Sequence, residues 1–136
     1  MVFQYQISLP AFPRGYHLIT EIIEHEIRNN EINDGVIHLL LMHTSAGITI
    51  NENADSTVRQ DFEKFFNLLI PENFPYSHNM EGADDMPAHL KSSLIGQSLM
   101  IPVKNGRLVL GTWQGIYLCE FRNSAFPRSV FLTAIS

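Results

Sequence analysis

The chain has 136 residues, of which 45% are apolar, and this length fits a single domain with its own core. Its net charge of −5 argues against general nucleic-acid binding, which normally needs a basic surface. No stretch approaches the roughly 20 apolar residues of a membrane-spanning helix, and the opening residues lack the basic region of a signal peptide. The lone Cys119 rules out a disulfide within the chain. We therefore expect one domain over residues 1–136, in the reducing cytoplasm, without membrane or nucleic-acid partners.

The first part of the chain predicts a strand followed by a helix. Residues 2–9 (VFQYQISL) alternate between apolar and polar side chains, which is typical of a strand. The segment PAFPRG at 10–15 interrupts this pattern. Residues 16–30 then carry apolar side chains at steps of three and four, which predicts an amphipathic helix.

The middle of the chain predicts two strands and a second helix. Residues 35–43 (GVIHLLLMH) form a nearly continuous apolar run, which indicates a buried strand. The segment GITIN at 47–51 predicts a short second strand. Asp55 or Ser56 is positioned to cap a helix that ends before Pro71.

The second half predicts a loop, a third helix and a series of strands. Residues 71–85 form the loop, and Asp85 is positioned to cap a helix that ends just before Gly96. Asn105-Gly106 between two apolar runs predicts a hairpin. The strands are expected at 97–103, 108–111, 115–122 and 129–135. Together these elements predict an α+β fold in which about three helices pack on a mixed, largely antiparallel sheet.

Three of the six histidines lie where a side chain can face a cleft. His43 ends the predicted buried strand, His78 lies in the irregular loop, and His89 lies early in the third helix. Their spacing matches no local metal-binding motif, but scattered histidines can still form a three-ligand site with an open coordination position. Spacing alone leaves open whether they bind a metal at all.

The start of the third helix has features of an anion receptor. Its free N–H groups favour anions, while Lys91, Ser92 and Ser93 add a cation and two hydroxyls nearby. These features predict a phosphate or pyrophosphate site. A solvated lysine and two ordinary helix serines are the alternative.

The segment GTWQG at 111–115 contains the only tryptophan of the chain. Trp113 and Gln114 could stack on a flat ring and hydrogen-bond to it. Alternatively, Trp113 fills the core at a wide turn between two strands.

Three long segments of the chain form an ordered set of motifs, namely HTSAGITINENAD, SHNMEGADDMPAHLKSSLIGQSLMIPV and NGRLVLGTWQGIYLCEFRN. They resemble the YjbQ-like family, often named secondary thiamine-phosphate synthase. The resemblance covers nearly the whole chain and implies a compact α+β fold and a homotrimer.

The resemblance implies a divalent metal site with His43, His78 and His89 as ligands. The metal would be zinc or another transition metal. The remaining site residues are predicted to be catalytic, namely Glu52, Glu81 and Lys91, or to contact substrate, namely Asn53, Ser93, Trp113 and Gln114.

The resemblance also implies a reaction on small phosphorylated molecules. A pyrimidine pyrophosphate would join a thiazole phosphate, giving thiamine phosphate and pyrophosphate, and this activity could be secondary to another one. A metal-dependent hydrolase, with Glu52 or Glu81 as general base, is one alternative. A non-catalytic trimer that binds a metabolite or anion is the other. Apart from these roles, we expect Glu120→Ala and Arg107→Ala to be near neutral in an isolated chain.

Overall fold

A computed structural model describes residues 1–124 and 126–136, and three helices and eight strands lie within them. The helices are α1 Thr20–Asn29, α2 Ser56–Leu69 and α3 Asp85–Ile95. The strands are β1 Val2–Ser8, β2 Gly15–Leu18, β3 Gly35–Leu41, β4 Ala46–Glu52, β5 Ser98–Lys104, β6 Arg107–Leu108, β7 Gln114–Glu120 and β8 Ser129–Ile135. The predicted α+β class is confirmed.

The strands form two sheets in place of the single mixed sheet that we predicted. The larger sheet has the order β1-β8-β3-β5-β6, and the smaller has the order β2-β7-β4. Every pairing between these strands is antiparallel. The prediction of a largely antiparallel arrangement is therefore correct, and its mixed character is not.

Strand β7 is buried on both faces, and this explains its continuous apolar sequence. One face carries Ile116 and Leu118, which join the main core with α1 and the inner face of the larger sheet. The other face carries Tyr117 and Cys119, which belong to a second cluster beneath α2 and α3. Because successive side chains of a strand point in opposite directions, both cores need apolar residues from this one strand. Burial raises the pKa of the Cys119 thiol, as expected for a cysteine that serves as a small apolar side chain.

Strand β2 was missed because its pattern reads as the start of a helix. The predicted helix at 16–30 begins later, at Thr20. Tyr16 and Leu18 instead pair with Cys119 and Tyr117 of β7. This pairing joins residues about a hundred positions apart, and local periodicity carries no information about it.

The predicted cap of α2 and the predicted turn at Asn105-Gly106 are confirmed, whereas the cap predicted at Asp85 is not formed. The Asp55 carboxylate accepts a hydrogen bond from the Thr57 backbone N–H at 2.9 Å and begins α2. Asn105 and Gly106 both have positive φ angles, 52° and 74°, and form the tight turn between β5 and β6. Among the described residues, no helix is long and apolar enough to cross a membrane.

Candidate metal centre

Two of the three predicted histidines meet at the start of α3, together with an aspartate. Nε2 of His78 lies 2.7 Å from Oδ2 of Asp85, and Nε2 of His89 lies 3.3 Å from the same oxygen. One ligand atom from each residue lies within 4.8 Å of the other two. Asp85 and His89 share a helix face because they are four residues apart, and the loop before α3 brings His78 to them.

The ring of His89 is oriented by the backbone of the loop between β3 and β4. Its Nδ1 lies 2.8 Å from the carbonyl oxygen of Thr44. A carbonyl only accepts, so Nδ1 carries the proton and Nε2 of the neutral ring has a free lone pair. This is the arrangement by which proteins fix the tautomer of a metal-binding histidine.

The carboxylate of Asp85 is almost fully buried and has different partners on its two oxygens. Oδ1 accepts from the Arg122 guanidinium, and Oδ2 faces the two histidines. Burial opposes ionisation of Asp85, but the hydrogen bond from His78 and the charge of Arg122 outweigh it and lower its pKa. The carboxylate is therefore ionised at neutral pH, as a metal ligand must be.

One of the separations between these atoms matches that of a tetrahedral metal site. Tetrahedral ligands at 2.0–2.1 Å from zinc lie about 3.3 Å from one another. The separation between His89 and Asp85 already has this value, at 3.3 Å. His78 donates its Nε2 proton to Asp85, and a cation would displace that proton and widen the contact by about 0.6 Å.

The charges around the cluster favour a cation over an anion. The carboxylates of Asp84 and Asp85 lie beside a single guanidinium, that of Arg122, and Glu81 lies 3.7 Å from His78. Negative charge is therefore in excess before any ligand binds. A phosphate at this helix end would meet Asp84 and Asp85, so the anion receptor that we predicted there is unfavourable despite the helix dipole.

His43 is not part of this cluster. Its Nε2 accepts a hydrogen bond from the Ser129 backbone N–H at 2.8 Å, and this bond uses the lone pair that a metal would need. Asp85 takes the place that we assigned to His43. The residues that the structure brings together as a group that could hold a metal ion are therefore His78, Asp85 and His89.

Lys91 lies away from the cluster, whereas Ser93 lies one helical turn beyond His89. Lys91 is 2% exposed, and its ammonium donates to the Asn67 side chain at 2.6 Å, between α2 and α3. Burial, followed by the charge of Arg14, lowers the pKa of Lys91 against the opposing effect of Glu63 and Glu72. Ser93 is exposed and lies four residues after His89, on the same face of α3 and one turn further from the start of the helix. Lys91 therefore cannot assist a ligand bound at His78 and His89 of the same chain, and Ser93 makes no hydrogen bond to the cluster among the described residues.

The four remaining predicted residues gather at the opposite end of the smaller sheet. Glu52 pairs with Gln114 there, and Asn53 donates to the carbonyl oxygens of Thr112 and Gln114, both at 3.1 Å. The side chain of Trp113 is 65% exposed, so the interpretation as a core residue is wrong. This end lies about 20 Å along β7 from Glu120, at roughly 3.4 Å per residue. Within one chain the structure does not bring these residues to the histidines.

His78 connects the cluster to an open cleft. The cleft is lined by Phe74 and Tyr76 of the loop before α3 and by Met86 in the first turn of α3. The Tyr76 hydroxyl donates to the carbonyl oxygen of Pro71 at 2.7 Å and stabilises the course of this loop. A metal-bound ligand would reach solvent through this cleft.

Asp85 and Arg122 were missed by sequence reasoning. Asp85 stands at a helix start, where a cap is the usual interpretation, yet its side chain makes no cap hydrogen bond and binds His78 and Arg122. The four-residue spacing in Asp85-x-x-x-His89 was the available signal. Arg122 follows an apolar strand and gave no signal of its own.

Comparison with known proteins identifies the family to which this chain is related. The family model described as "UPF0047 protein YjbQ-like" matches residues 5–136. The chain belongs to the YjbQ-like UPF0047 family.

Two YjbQ-like relatives show how broadly the similarity extends. The UPF0047 protein YjbQ of Salmonella typhimurium is 51% identical over 98% of this chain and 97% of its own length. A UPF0047 protein of Methanocaldococcus jannaschii is 45% identical over 89% of this chain and 85% of its own length.

Solved structures of YjbQ-like proteins share the fold. An uncharacterised conserved protein from Clostridium acetobutylicum is 38% identical, with a TM-score of 0.86 over 96% of this chain and 99% of its own. A hypothetical protein from Aeropyrum pernix is 28% identical, with a TM-score of 0.87 over 98% of both chains.

These comparisons correct the predicted reaction. YjbQ-like relatives up to 51% identical carry only the UPF0047 family designation, and the similar structures are described as uncharacterised or hypothetical. They give no support to a thiamine-phosphate synthase, or to metal-dependent catalysis on phosphorylated molecules. In the structure, Lys91, which we assigned to pyrophosphate, donates its hydrogen bond to Asn67. The helix end that we assigned to the same ligand lies beside the carboxylates of Asp84 and Asp85. The family that the resemblance indicated is confirmed, and the reaction that the resemblance implied is wrong.

Proposed function

We propose that this protein binds a divalent transition-metal ion through His78, Asp85 and His89. The observation that carries the proposal is the meeting of two imidazole nitrogens and one buried, ionised carboxylate at the separations of 2.7 and 3.3 Å. The Thr44 carbonyl and Arg122 already orient two of the ligands. The site therefore needs little rearrangement to receive the ion.

The ligand types narrow the choice of metal. Two imidazoles and one carboxylate suit zinc, iron(II), cobalt(II) or nickel(II), and they suit calcium or magnesium poorly because those ions prefer oxygen ligands. Three protein ligands leave at least one coordination position for water or another small ligand. The cleft beside Phe74 and Tyr76 gives that position access to solvent.

The test is metal titration of chelator-treated protein. Isothermal titration calorimetry with Zn²⁺ should give one site per chain, and the visible spectrum with Co²⁺ should report nitrogen and oxygen coordination. Asp85→Asn and His89→Ala should each abolish tight binding, whereas His25→Ala, an exposed histidine on α1, should bind as the unmodified chain does. Absence of binding by the unmodified chain, or equal binding by all variants, would rule out this centre.

We also propose that the chain assembles as a homotrimer. The family resemblance implies this assembly, and the exposed apolar side chains of α2 support it. Phe65, Leu68 and Leu69 are 58%, 79% and 54% exposed. All residues of α2 lie in the described part of the chain, and none of them is buried. Since helices gain most of their stability from packing, contact with another copy would supply what this helix lacks.

We propose a cytoplasmic location for the protein. The buried, unpaired thiol of Cys119 supports a reducing compartment, where cysteines stay reduced.

A further inference from the structure

Glu120, the last residue of β7, is fully buried and accepts hydrogen bonds from two arginines. Nε of Arg128 donates to Oε1 at 2.8 Å, and Nη2 of the same arginine donates to Oε2. The backbone N–H of Arg122 donates to Oε2 at 3.2 Å. Glu120 is 0% exposed and Arg128 is 1% exposed, so this ion pair is inaccessible to water.

The first arginine connects Glu120 to His89. Nη2 of Arg128 donates to the Ser45 carbonyl oxygen at 3.3 Å and to the Ser45 hydroxyl oxygen at 3.1 Å. Thr44, the residue before Ser45, supplies the carbonyl that orients the His89 ring. On its other side His43 is held by the Ser129 backbone, directly after Arg128. Both neighbours of Thr44 are therefore fixed by the start of β8.

The second arginine connects Glu120 to Asp85. Its backbone is held by Glu120, and its guanidinium donates to Oδ1 of Asp85. Nε of Arg122 also donates to Asp84 at 3.0 Å, and Nη2 donates to the Glu81 carbonyl oxygen at 2.9 Å. These bonds fix the guanidinium in the direction of the metal ligand.

We propose that Glu120 is a positioning residue for the metal centre. Its single buried carboxylate orients His89 through Arg128 and the Thr44 loop, and orients Asp85 through Arg122. The inference rests on the metal site proposed above. It assigns a role to a residue that touches neither the ion nor its ligands.

Stability alone accounts poorly for this arrangement. Burying an ion pair costs about as much as the attraction returns, and apolar replacements are often equally stable. What a buried pair provides is fixed direction, because its donors have no water to bind in place of their protein acceptors. Here the hydrogen bonds of Glu120 lead through Arg128 and Arg122 to two ligands of one cluster.

The experiment compares the unmodified chain with Glu120→Gln, which keeps the shape and removes the charge. We expect Zn²⁺ affinity to fall by about 10- to 100-fold, as for other groups that orient metal ligands. Affinity is measured by calorimetry at a temperature where circular dichroism shows both proteins folded. Glu24→Gln is the matched control, since Glu24 is a buried carboxylate paired with Arg28 on α1, away from the cluster.

A second measurement separates positioning from a merely structural role. In metal-free protein, nitrogen-15 NMR should show His89 with its proton on Nδ1, and Glu120→Gln should give a mixture of the two tautomers. If Glu120→Gln does not fold, Arg128→Lys replaces it, because lysine keeps the charge but cannot bridge Glu120 and Ser45.

The outcomes distinguish this inference from the metal site itself. Unchanged Zn²⁺ affinity together with an unchanged His89 tautomer would overturn the role of Glu120. If the unmodified chain binds no metal, the proposed function fails, and the tautomer comparison still decides whether Glu120 orients His89. A control variant that weakens Zn²⁺ binding as much as Glu120→Gln would also overturn the proposal.

Discussion

At the scale of single residues, the surroundings of His43 set a pH dependence of stability. Burial, and after it the charge of Arg128, lowers the pKa of His43 against the opposing charge of Glu120. The folded chain therefore favours neutral imidazole, whereas the unfolded chain takes up a proton near pH 6.5. Protons bind preferentially to the unfolded state in this range, so the free energy of unfolding should fall as the pH drops below about 6.5.

We expect His43→Gln to reduce this pH dependence, because glutamine can accept the Ser129 hydrogen bond without titrating. Urea unfolding at about pH 7 and about pH 5 measures the change in unfolding free energy. The control His25→Gln, an exposed residue of α1, should keep the dependence of the unmodified chain. Equal pH dependence in His43→Gln and the unmodified chain would contradict the assignment.

Glu120 also corrects an expectation about tolerance to substitution. We expected Glu120→Ala to be near neutral, but the residue is fully buried and paired with Arg128. Removing one partner of a buried pair leaves an uncompensated charge and costs about 3–5 kcal/mol. Arg107→Ala, at an exposed position, should stay within about 0.5 kcal/mol of the unmodified chain. Denaturant titration of both variants tests the contrast, and a small loss for Glu120→Ala would show that Arg128 finds other partners.

At the scale of secondary-structure elements, Gly35 controls how β3 begins beside the end of β8. A Cβ at this position would lie 2.2 Å from the Ile135 carbonyl oxygen, and φ is +142°. Gly96 also has a positive φ, +104°, but a Cβ there meets nothing within 4 Å. Gly96 has φ 104° and ψ 166°, a region that is essentially restricted to glycine, so Gly96→Ala should cost only backbone strain of about 1–3 kcal/mol. Gly35→Ala should cost clearly more, because the strands must separate.

Thermal unfolding of Gly35→Ala and Gly96→Ala measures this difference directly. The two variants make the same chemical change at a glycine with a positive φ. The excess loss in Gly35→Ala therefore reports the clash with β8. Similar melting temperatures for the two variants would mean that the end of β8 yields without cost.

Elements with local signals were predictable, and those that depend on distant pairing were not. The Asp55 cap and the Asn105-Gly106 turn are determined by residues that are adjacent in the chain. For this reason α2 and the β5–β6 hairpin could be predicted from the sequence. Strand β2 exists because β7 pairs with it. Likewise, the division into two sheets depends on which strands meet, and periodicity does not encode that choice.

In the candidate site, too, local signals were predictable and contacts between distant residues were not. His78 and His89 were found because their residue type suggests chemistry wherever they lie. Asp85 was interpreted as a helix cap, since only the path of the loop through His78 reveals its second role. His43 was assigned to the cluster because nothing in the sequence indicates that Ser129 would use its lone pair.

At the scale of the whole molecule, α2 provides the test of assembly. Leu68 is 79% exposed on this helix, and a glutamate there would place charge in an apolar contact between copies. We expect Leu68→Glu to convert a trimer into monomers in size-exclusion chromatography with light scattering. Val109→Glu is the control, because Val109 is 52% exposed but lies outside α2. A trimer that persists in Leu68→Glu, or a monomeric unmodified chain, would exclude this interface.

The segment between α2 and α3 has a consequence for how occupancy could be followed. Residues 70–84 form no helix or strand, yet His78 within them meets two residues of α3. An ion shared by His78, Asp85 and His89 would fasten this segment to the helix, and the Thr44 contact would fasten the helix to the loop after β3. Amide hydrogen exchange in 76–84 should slow on addition of Zn²⁺, and proteases should cut there less readily. Exchange and cleavage in this irregular segment would then report the fraction of the protein that carries an ion.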